Sequence, residues 1–221
     1  MQRYPVVIFD LDGTLLDTSR GVLAATRQTL EEYGHTVPPE DVLRGFIGPP
    51  VQMGFAAYLG LTEGESAAYA DTYRSHYEKG ALFLATPYTG LEKALCELRR
   101  DGVRLAVATY KREDLAKRLL AHFSLDGYFG VIHGADAAGR RTKADIIRLC
   151  LDELDVADAN RALMVGDSRH DAHAAAEVGV DFLGVTYGFG FRAPRDAFAA
   201  GALAVAEHPG EITEAVWTRM G

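Results

Sequence analysis

The sequence predicts an α/β fold: a parallel-sheet core sandwiched by helices, with an all-helical domain inserted near its start. Three observations predict it. Short apolar runs recur along the chain, helix-period segments separate the later ones, and one long early stretch carries helical patterning alone.

The clearest runs are Val6-Val7-Ile8-Phe9, Val103 to Ala108 (interrupted by Arg104), Ala162 to Val165 and Phe182 to Val185. Weaker ones lie at Phe129 to Ile132 and Ala202 to Val205. Such runs, bounded by Gly or polar residues, suit strands buried on both faces. Helical stretches separate them at Gly90 to Arg100, Glu113 to Phe123, Lys143 to Leu154 and His170 to Val178. In the third, Ile146, Ile147, Leu149, Cys150, Leu151 and Leu154 fall mainly at three- and four-residue spacing. Gly102 and Gly179 follow two of these helices, where a C-terminal glycine is favoured. Strands alternating with helices imply right-handed crossovers and a covered parallel sheet.

Between Phe9 and Val103 the rhythm breaks. Ser19 to Tyr33 reads as a helix with Val22, Leu23, Thr26, Leu30 and Tyr33 on one side and Gly34 as its stop. Pro49-Pro50 opens a second helix toward Leu59, and Thr62 to Lys79 forms a third. The expected division is a core of residues 1–16 and 84–221 and a helical insertion of 17–83. Internal repeats and low-complexity segments are absent from the sequence.

The 221 residues are 48% hydrophobic and 24% charged, with a formal net charge of -8. That size accommodates one large domain carrying a smaller one. A negative field disfavours nucleic acid as a partner, while a local cationic pocket still admits small anions. Cys96 and Cys150 both read as small buried hydrophobes rather than as a disulfide pair. No run of apolar residues is long enough to span a membrane. Met1-Gln2-Arg3-Tyr4 passes straight into a strand pattern, with no signal-peptide core. The expectation is a cytoplasmic protein, with monomer or homodimer left open.

In an open parallel sheet, ligands bind beyond the carboxyl ends of the strands. There this chain carries Asp10, Asp12, Gly13 and Thr14, then Thr109, Tyr110 and Lys111, then Gly166, Asp167, Ser168 and Asp171. Clustered carboxylates repel one another unless a cation joins them, and oxygen-only ligands favour a hard ion such as magnesium. A calcium-binding EF-hand loop is excluded. Starting the loop at Asp10 puts Leu15 where its glycine belongs and Gly21 where its glutamate belongs; sliding Gly13 into the glycine position puts Ile8 at the first ligand.

A hydrophobic strand followed by Asp10-Leu11-Asp12-Gly13-Thr14 resembles the first signature of the haloacid dehalogenase superfamily. Thr109 at a strand end, Lys143 opening a helix, and Gly166-Asp167-Ser168-Arg169-His170-Asp171 resemble the remaining signatures, in order. The resemblance covers essentially the whole chain and implies a Rossmann-like core with an α-helical cap domain. Phe46-Ile47-Gly48-Pro49-Pro50 and Gly184-Val185-Thr186-Tyr187-Gly188-Phe189-Gly190 are similar to phosphoglycolate-phosphatase-like and 5′-nucleotidase-like members.

The resemblance implies a magnesium-dependent phosphatase acting on a small phosphorylated metabolite. Asp10 would be the nucleophile that forms an aspartyl-phosphate, and Asp12 the acid and base for leaving group and water. Thr109, Lys143 and the Tyr110 backbone amide would hold the phosphoryl group. Asp10, the Asp12 carbonyl and Asp167 would bind magnesium, with Asp171 supporting it through water or an outer hydrogen bond. Thr14 and Asp17 read as structural. Tyr110 departs from the family, where Asn or Ser is more usual. Lys111 reads equally as an ion-pair partner of the acidic cluster or as an exposed lysine, and His170 as facing solvent. In the cap, Arg44, Gln52, Tyr73 and His76 are polar candidates for substrate contact.

A dehalogenase would need neither Asp12 nor the acidic metal site. Phosphonate hydrolysis requires a cap lysine, and the cap has only Lys79, near its far end. A sugar phosphomutase shares the Asp-x-Asp pair and a helical cap and stays open. From another class, a phospho-acceptor or binding protein would use neither a second acid/base carboxylate nor a helical lid.

Overall fold

The structure, a computed structural model, describes residues 4–48, 50–136 and 140–217. Pro49, expected to help open a helix, and the opening Met1 to Arg3 lie outside them. The chain divides into two compact units, Met1–Asp17 with Pro87–Gly221, and Thr18–Thr86.

In the first unit, β1 (Val6–Phe9) is followed by the short β2 (Leu16–Asp17), where the chain leaves. In the second unit come α1 (Ser19–Glu32), the one-turn α2 (Glu40–Leu43), α3 (Val51–Leu59) and α4 (Glu63–Lys79). The chain returns through β3 (Thr86–Pro87), and the Tyr88 amide donates to the Leu15 carbonyl at 3.3 Å. Then follow α5 (Leu91–Arg100), β4 (Arg104–Arg112), α6 (Glu113–His122), β5 (Val131–Ala135), α7 (Lys143–Glu153) and β6 (Ala162–Gly166). The last elements are α8 (Arg169–Val178), β7 (Asp181–Val185), α9 (Pro194–Ala199), β8 (Ala204–Ala206) and α10 (Gly210–Trp217).

Six of these strands form one parallel sheet in the order β5-β4-β1-β6-β7-β8. Val6 pairs with both Arg104 and Ala162, so β1 is clasped by β4 and β6. The chain winds outward from β1 to β5, then crosses back to β6. That reversal puts a crevice at the carboxyl ends of β1, β4 and β6. Both sheet faces are covered, which is why the strands run apolar without alternation. Val6, Ile8, Ala106, Ala108 and Met164 pack with α7, α8 and α9 residues such as Ile147, Cys150, Ala175 and Ala197. Val7, Phe9, Leu105, Val107 and Val165 are buried on the other face, where α5, α6 and α10 bring Leu95, Leu119 and Ile212.

The helical unit is held by aromatic rings. Tyr69, Tyr73 and Tyr77 recur four residues apart on α4, so they share one face. Tyr69 stacks on Tyr33 at 3.8 Å between centroids, and Phe55 packs against Phe46, Tyr69 and Tyr73. Thr62 caps α4 through the Glu65 amide, while the Glu65 carboxylate accepts from the Thr62 amide at 2.9 Å.

Several details differ from the sequence expectations. β5 begins at Val131 rather than Phe129, because a tight turn at Asp126–Tyr128 delivers Phe129 and Gly130 before the strand. β4 runs on to Arg112 beyond its apolar stretch, and β8 starts two residues late at Ala204. The insertion begins at Thr18 and ends at Thr86, against the expected 17–83. Cys150 is buried as expected, but Cys96 is exposed, on the polar face of α5. No helix among the described residues is long and apolar enough to cross a membrane.

Candidate active site

Asp10 follows β1 directly and continues its ladder, its amide donating to the Val165 carbonyl at 2.9 Å. The chain then turns tightly: the Leu15 and Leu16 amides reach back to the Leu11 carbonyl, and Gly13 donates to the Leu16 carbonyl. Gly13 sits at φ +84°, and a Cβ there would collide with the Asp167 carboxylate and the Phe189 ring. Only glycine satisfies both the left-handed turn and that close approach.

Asp167 and Asp171 come from the β6–α8 junction. Asp171 Oδ2 accepts from the Ser168 hydroxyl at 2.7 Å and the Ser168 amide at 3.2 Å, capping α8. Its Oδ1 faces Lys143 Nζ at 2.8 Å. Asp167 Oδ2 accepts two amides, Phe189 at 2.6 Å and Gly190 at 3.1 Å. The Tyr187 hydroxyl donates to the Thr14 carbonyl at 3.1 Å, fastening this β7–α9 loop to the first turn.

Lys143 begins α7 behind the Thr142–Asp145 capping box. Its Nζ lies 2.5 Å from Asp10 Oδ1 and joins Asp10 to Asp171. Burial opposes its charge, but Asp10 and Asp171 outweigh that and hold it protonated above the ordinary lysine range.

The carboxylates of Asp10, Asp167 and Asp171 can bring one oxygen each within 4.8 Å of one another. All three are buried. Burial pushes the Asp10 carboxyl up to about 8; Lys143 pulls against it, while Asp171, Asp167 and Asp12 add to it. Burial and Asp171 push Asp167 up to about 7, against the Phe189 and Gly190 amides. Three buried carboxylates thus share one buried ammonium, a deficit of positive charge that a hard divalent cation with oxygen ligands fits.

Asp12 stands apart. Its carboxylate is not in that trio and instead pairs with Lys111, Nζ to Oδ1 at 3.0 Å. Thr109 is buried, its hydroxyl accepting from the Lys111 amide at 3.1 Å. Tyr110 lies at the rim, 49% exposed. Its hydroxyl accepts from the Lys143 amide at 3.1 Å, and its ring stands 5.7 Å from Lys143 Nζ and edge-to-face with the exposed His170.

The structure therefore gathers Asp10, Asp167, Asp171, Lys143 and the Tyr110 ring into one cluster, while Asp12 and Thr109 both meet Lys111. Among the cap candidates, Tyr73 is buried in its own unit's aromatic core, His76 pairs with Glu32 at 2.7 Å, Arg44 pairs with Glu40, and Gln52 donates to the Glu63 carbonyl. Sequence reasoning missed the amides of Phe189 and Gly190. The Gly188 and Gly190 pair was the available signal, since a Cβ on either would meet Asp167, so these glycines let the loop backbone approach it.

The model of the haloacid dehalogenase-like hydrolase family matches residues 7–185. The chain belongs to that family. A 5′-nucleotidase of Pseudomonas aeruginosa is 36% identical over 189 residues, covering 85% of each chain. Tyrosine-protein kinase PtkA of Mycobacterium tuberculosis is 41% identical over 187 residues, 84% of this chain but 63% of that longer protein. A predicted phosphatase from Clostridium acetobutylicum superposes with a TM-score of 0.87 at 32% identity, covering 96% of this chain and 98% of that one. Members of this fold carry their site at the carboxyl ends of the sheet, where the carboxylates of this chain gather.

Proposed function

We propose that this haloacid dehalogenase-like hydrolase is a magnesium-dependent phosphomonoesterase acting on a small phosphorylated metabolite through an aspartyl-phosphate on Asp10. The observation that carries this reading is the separation of the first two carboxylates. Asp10 belongs to a buried acidic trio and is joined to Asp171 by Lys143, whereas Asp12, two residues away, pairs with Lys111.

Asp10 Oδ attacks phosphorus as the bond to the leaving oxygen breaks, and Asp12 supplies that oxygen with a proton. Water, losing a proton to Asp12, then attacks the aspartyl-phosphate and releases phosphate and free Asp10. Lys143 and the Thr109 hydroxyl hold the phosphoryl oxygens, with the Tyr110 amide beside them. Magnesium would be held by Asp10, Asp167 and the Asp12 carbonyl, with Asp171 in support; it supplies positive charge to offset the phosphoryl oxygens. The 5′-nucleotidase relative and the phosphatase-like segments of the sequence support a phosphoglycolate-like or nucleotide-like substrate class. The kinase relative shares the core and is longer than the match, so its name does not outweigh the acid/base pair.

Hydrolysis of p-nitrophenyl phosphate with magnesium tests the reading. Activity should vanish with a chelator and in Asp10→Asn; wild-type turnover by Asp10→Asn would sink the nucleophile assignment. A panel of phosphorylated metabolites ranked by kcat/KM then identifies the substrate, and a mutase is separated by the isomeric sugar phosphate it would release.

A further inference from the structure

We propose that Lys111 is a positioning residue that aims the Asp12 carboxylate at the leaving-group oxygen; this rests on the phosphomonoesterase reading above. Asp10 and Asp12 each have their own lysine. Lys143 Nζ lies between Asp10 and Asp171, and Lys111 Nζ lies 3.0 Å from Asp12 Oδ1. The Lys111 side chain is only 9% exposed, against 29% for Asp12, so the ammonium is held inside while the carboxylate keeps an open side.

The backbone explains how a lysine in a loop-like position becomes rigid. Ala108 pairs with His133 and Arg112 with Ala135, so β4 spends four steps where β5 spends two. The irregularity falls on Thr109, Tyr110 and Lys111. Bulges of this kind re-aim side chains beside active sites. The bulge is clamped on both sides. The Lys111 amide donates to the Thr109 hydroxyl, and the Lys111 carbonyl occupies the space that a Cβ on Gly134 would fill.

Glu113 completes the clamp. Its carboxylate accepts from Lys117 at 2.6 Å, the Gly134 amide at 3.3 Å and Arg141 at 3.2 Å, and meets His133 Nδ1 at 3.2 Å. Arg141 is two residues before Lys143. One carboxylate therefore ties the Lys111 turn to β5 and to the approach of α7, so the two lysines are positioned together.

Leaving-group dependence tests the assignment. An alkoxide needs the proton from Asp12 as its bond to phosphorus breaks, whereas p-nitrophenolate leaves without one. Single-turnover rapid quench isolates this first transfer from the later hydrolysis. In Lys111→Met, transfer from the alkyl phosphate ranked first in the metabolite panel should fall about a hundredfold, and from p-nitrophenyl phosphate less than about fivefold, with KM little changed. Lys111→Arg, which keeps a cation at the same place, should recover most of the alkyl rate and guards against a folding defect in the first variant.

Equal losses on both esters, a rise in KM without a fall in the transfer rate, or no loss at all would each overturn the positioning role, the first two in favour of direct substrate binding. Wild-type protein that turns over no alkyl phosphate would overturn the phosphomonoesterase reading itself, which is a different result from any of these.

Discussion

Two helices of this chain, one in each unit, begin with the same device and use it differently. Thr62 and Glu65 cap α4 in the helical unit; Thr142 and Asp145 cap α7 in the α/β unit. Behind the first cap lies a helix held by a stripe of tyrosines, so the cap serves stability alone. Behind the second lies Lys143, buried against two carboxylates, so the same few hydrogen bonds also hold a charge in place. Local propensity and chemistry are separable in one unit and fused in the other.

The largest expected effect comes from breaking the fusion. Lys143→Met leaves three buried carboxylates without their ammonium, which should cost about 3–5 kcal/mol of stability and abolish detectable turnover. Thermal melts with and without magnesium check it. Magnesium should raise the midpoint of the wild type, and a midpoint indifferent to magnesium in both proteins would remove the metal-site reading.

The matching test in the helical unit is Phe55→Ala, expected to cost about 3–5 kcal/mol through the cavity it leaves among Phe46, Tyr69 and Tyr73. Hydrogen exchange should show protection lost over Thr18–Thr86 while the central strands keep theirs. Uniform loss across both units would show that they open together.

Next come the caps. Thr62→Ala and Thr142→Ala should each lower stability by about 1 kcal/mol, measured by denaturant melts. Only Thr142→Ala should also reduce kcat. Equal kcat values for the two would mean that the cap and Lys143 are not coupled.

The smallest effect belongs to Glu113. Burial raises its carboxyl, but Lys117, His133 and the Gly134 amide outweigh that and bring it down to about 2. A carboxyl lowered on folding stabilises above its unfolded value and loses that contribution as pH falls toward the folded one. Glu113→Gln should therefore be less stable than wild type near neutrality, by under about 1 kcal/mol given its partial exposure. The gap should close as pH falls from about 4.5 toward 2. A gap independent of pH over that range would assign the effect to shape rather than charge.

The α/β core was legible because strands buried on both faces leave continuous apolar runs that little else produces. The carboxylates were legible because the fold delivers the residue after each strand to one edge. What the sequence hid is carried by backbone. The Phe189 and Gly190 amides that grip Asp167 leave only the neighbouring glycines as a trace, and the β4 bulge, which turns Lys111 from an ambiguous lysine into Asp12's partner, arises from pairing with a distant strand. β5 was displaced by two residues because Phe129, apolar and adjacent, lies with Gly130 between the preceding turn and the strand. In the helical unit, Tyr73 illustrates the converse difficulty. A polar tip suggests a ligand contact, yet its ring is part of the core.

The hydrogen bond from the Tyr88 amide to the Leu15 carbonyl has a bearing on what this junction can carry. The chain departs and re-enters the α/β unit at neighbouring points, so residues 18–86 hang from a closed gate rather than bridge a gap. Closing a loop between ends already in contact costs little more for a long insert than for a short one. Inserts of quite different length and composition could therefore be exchanged at this junction without disturbing the sheet.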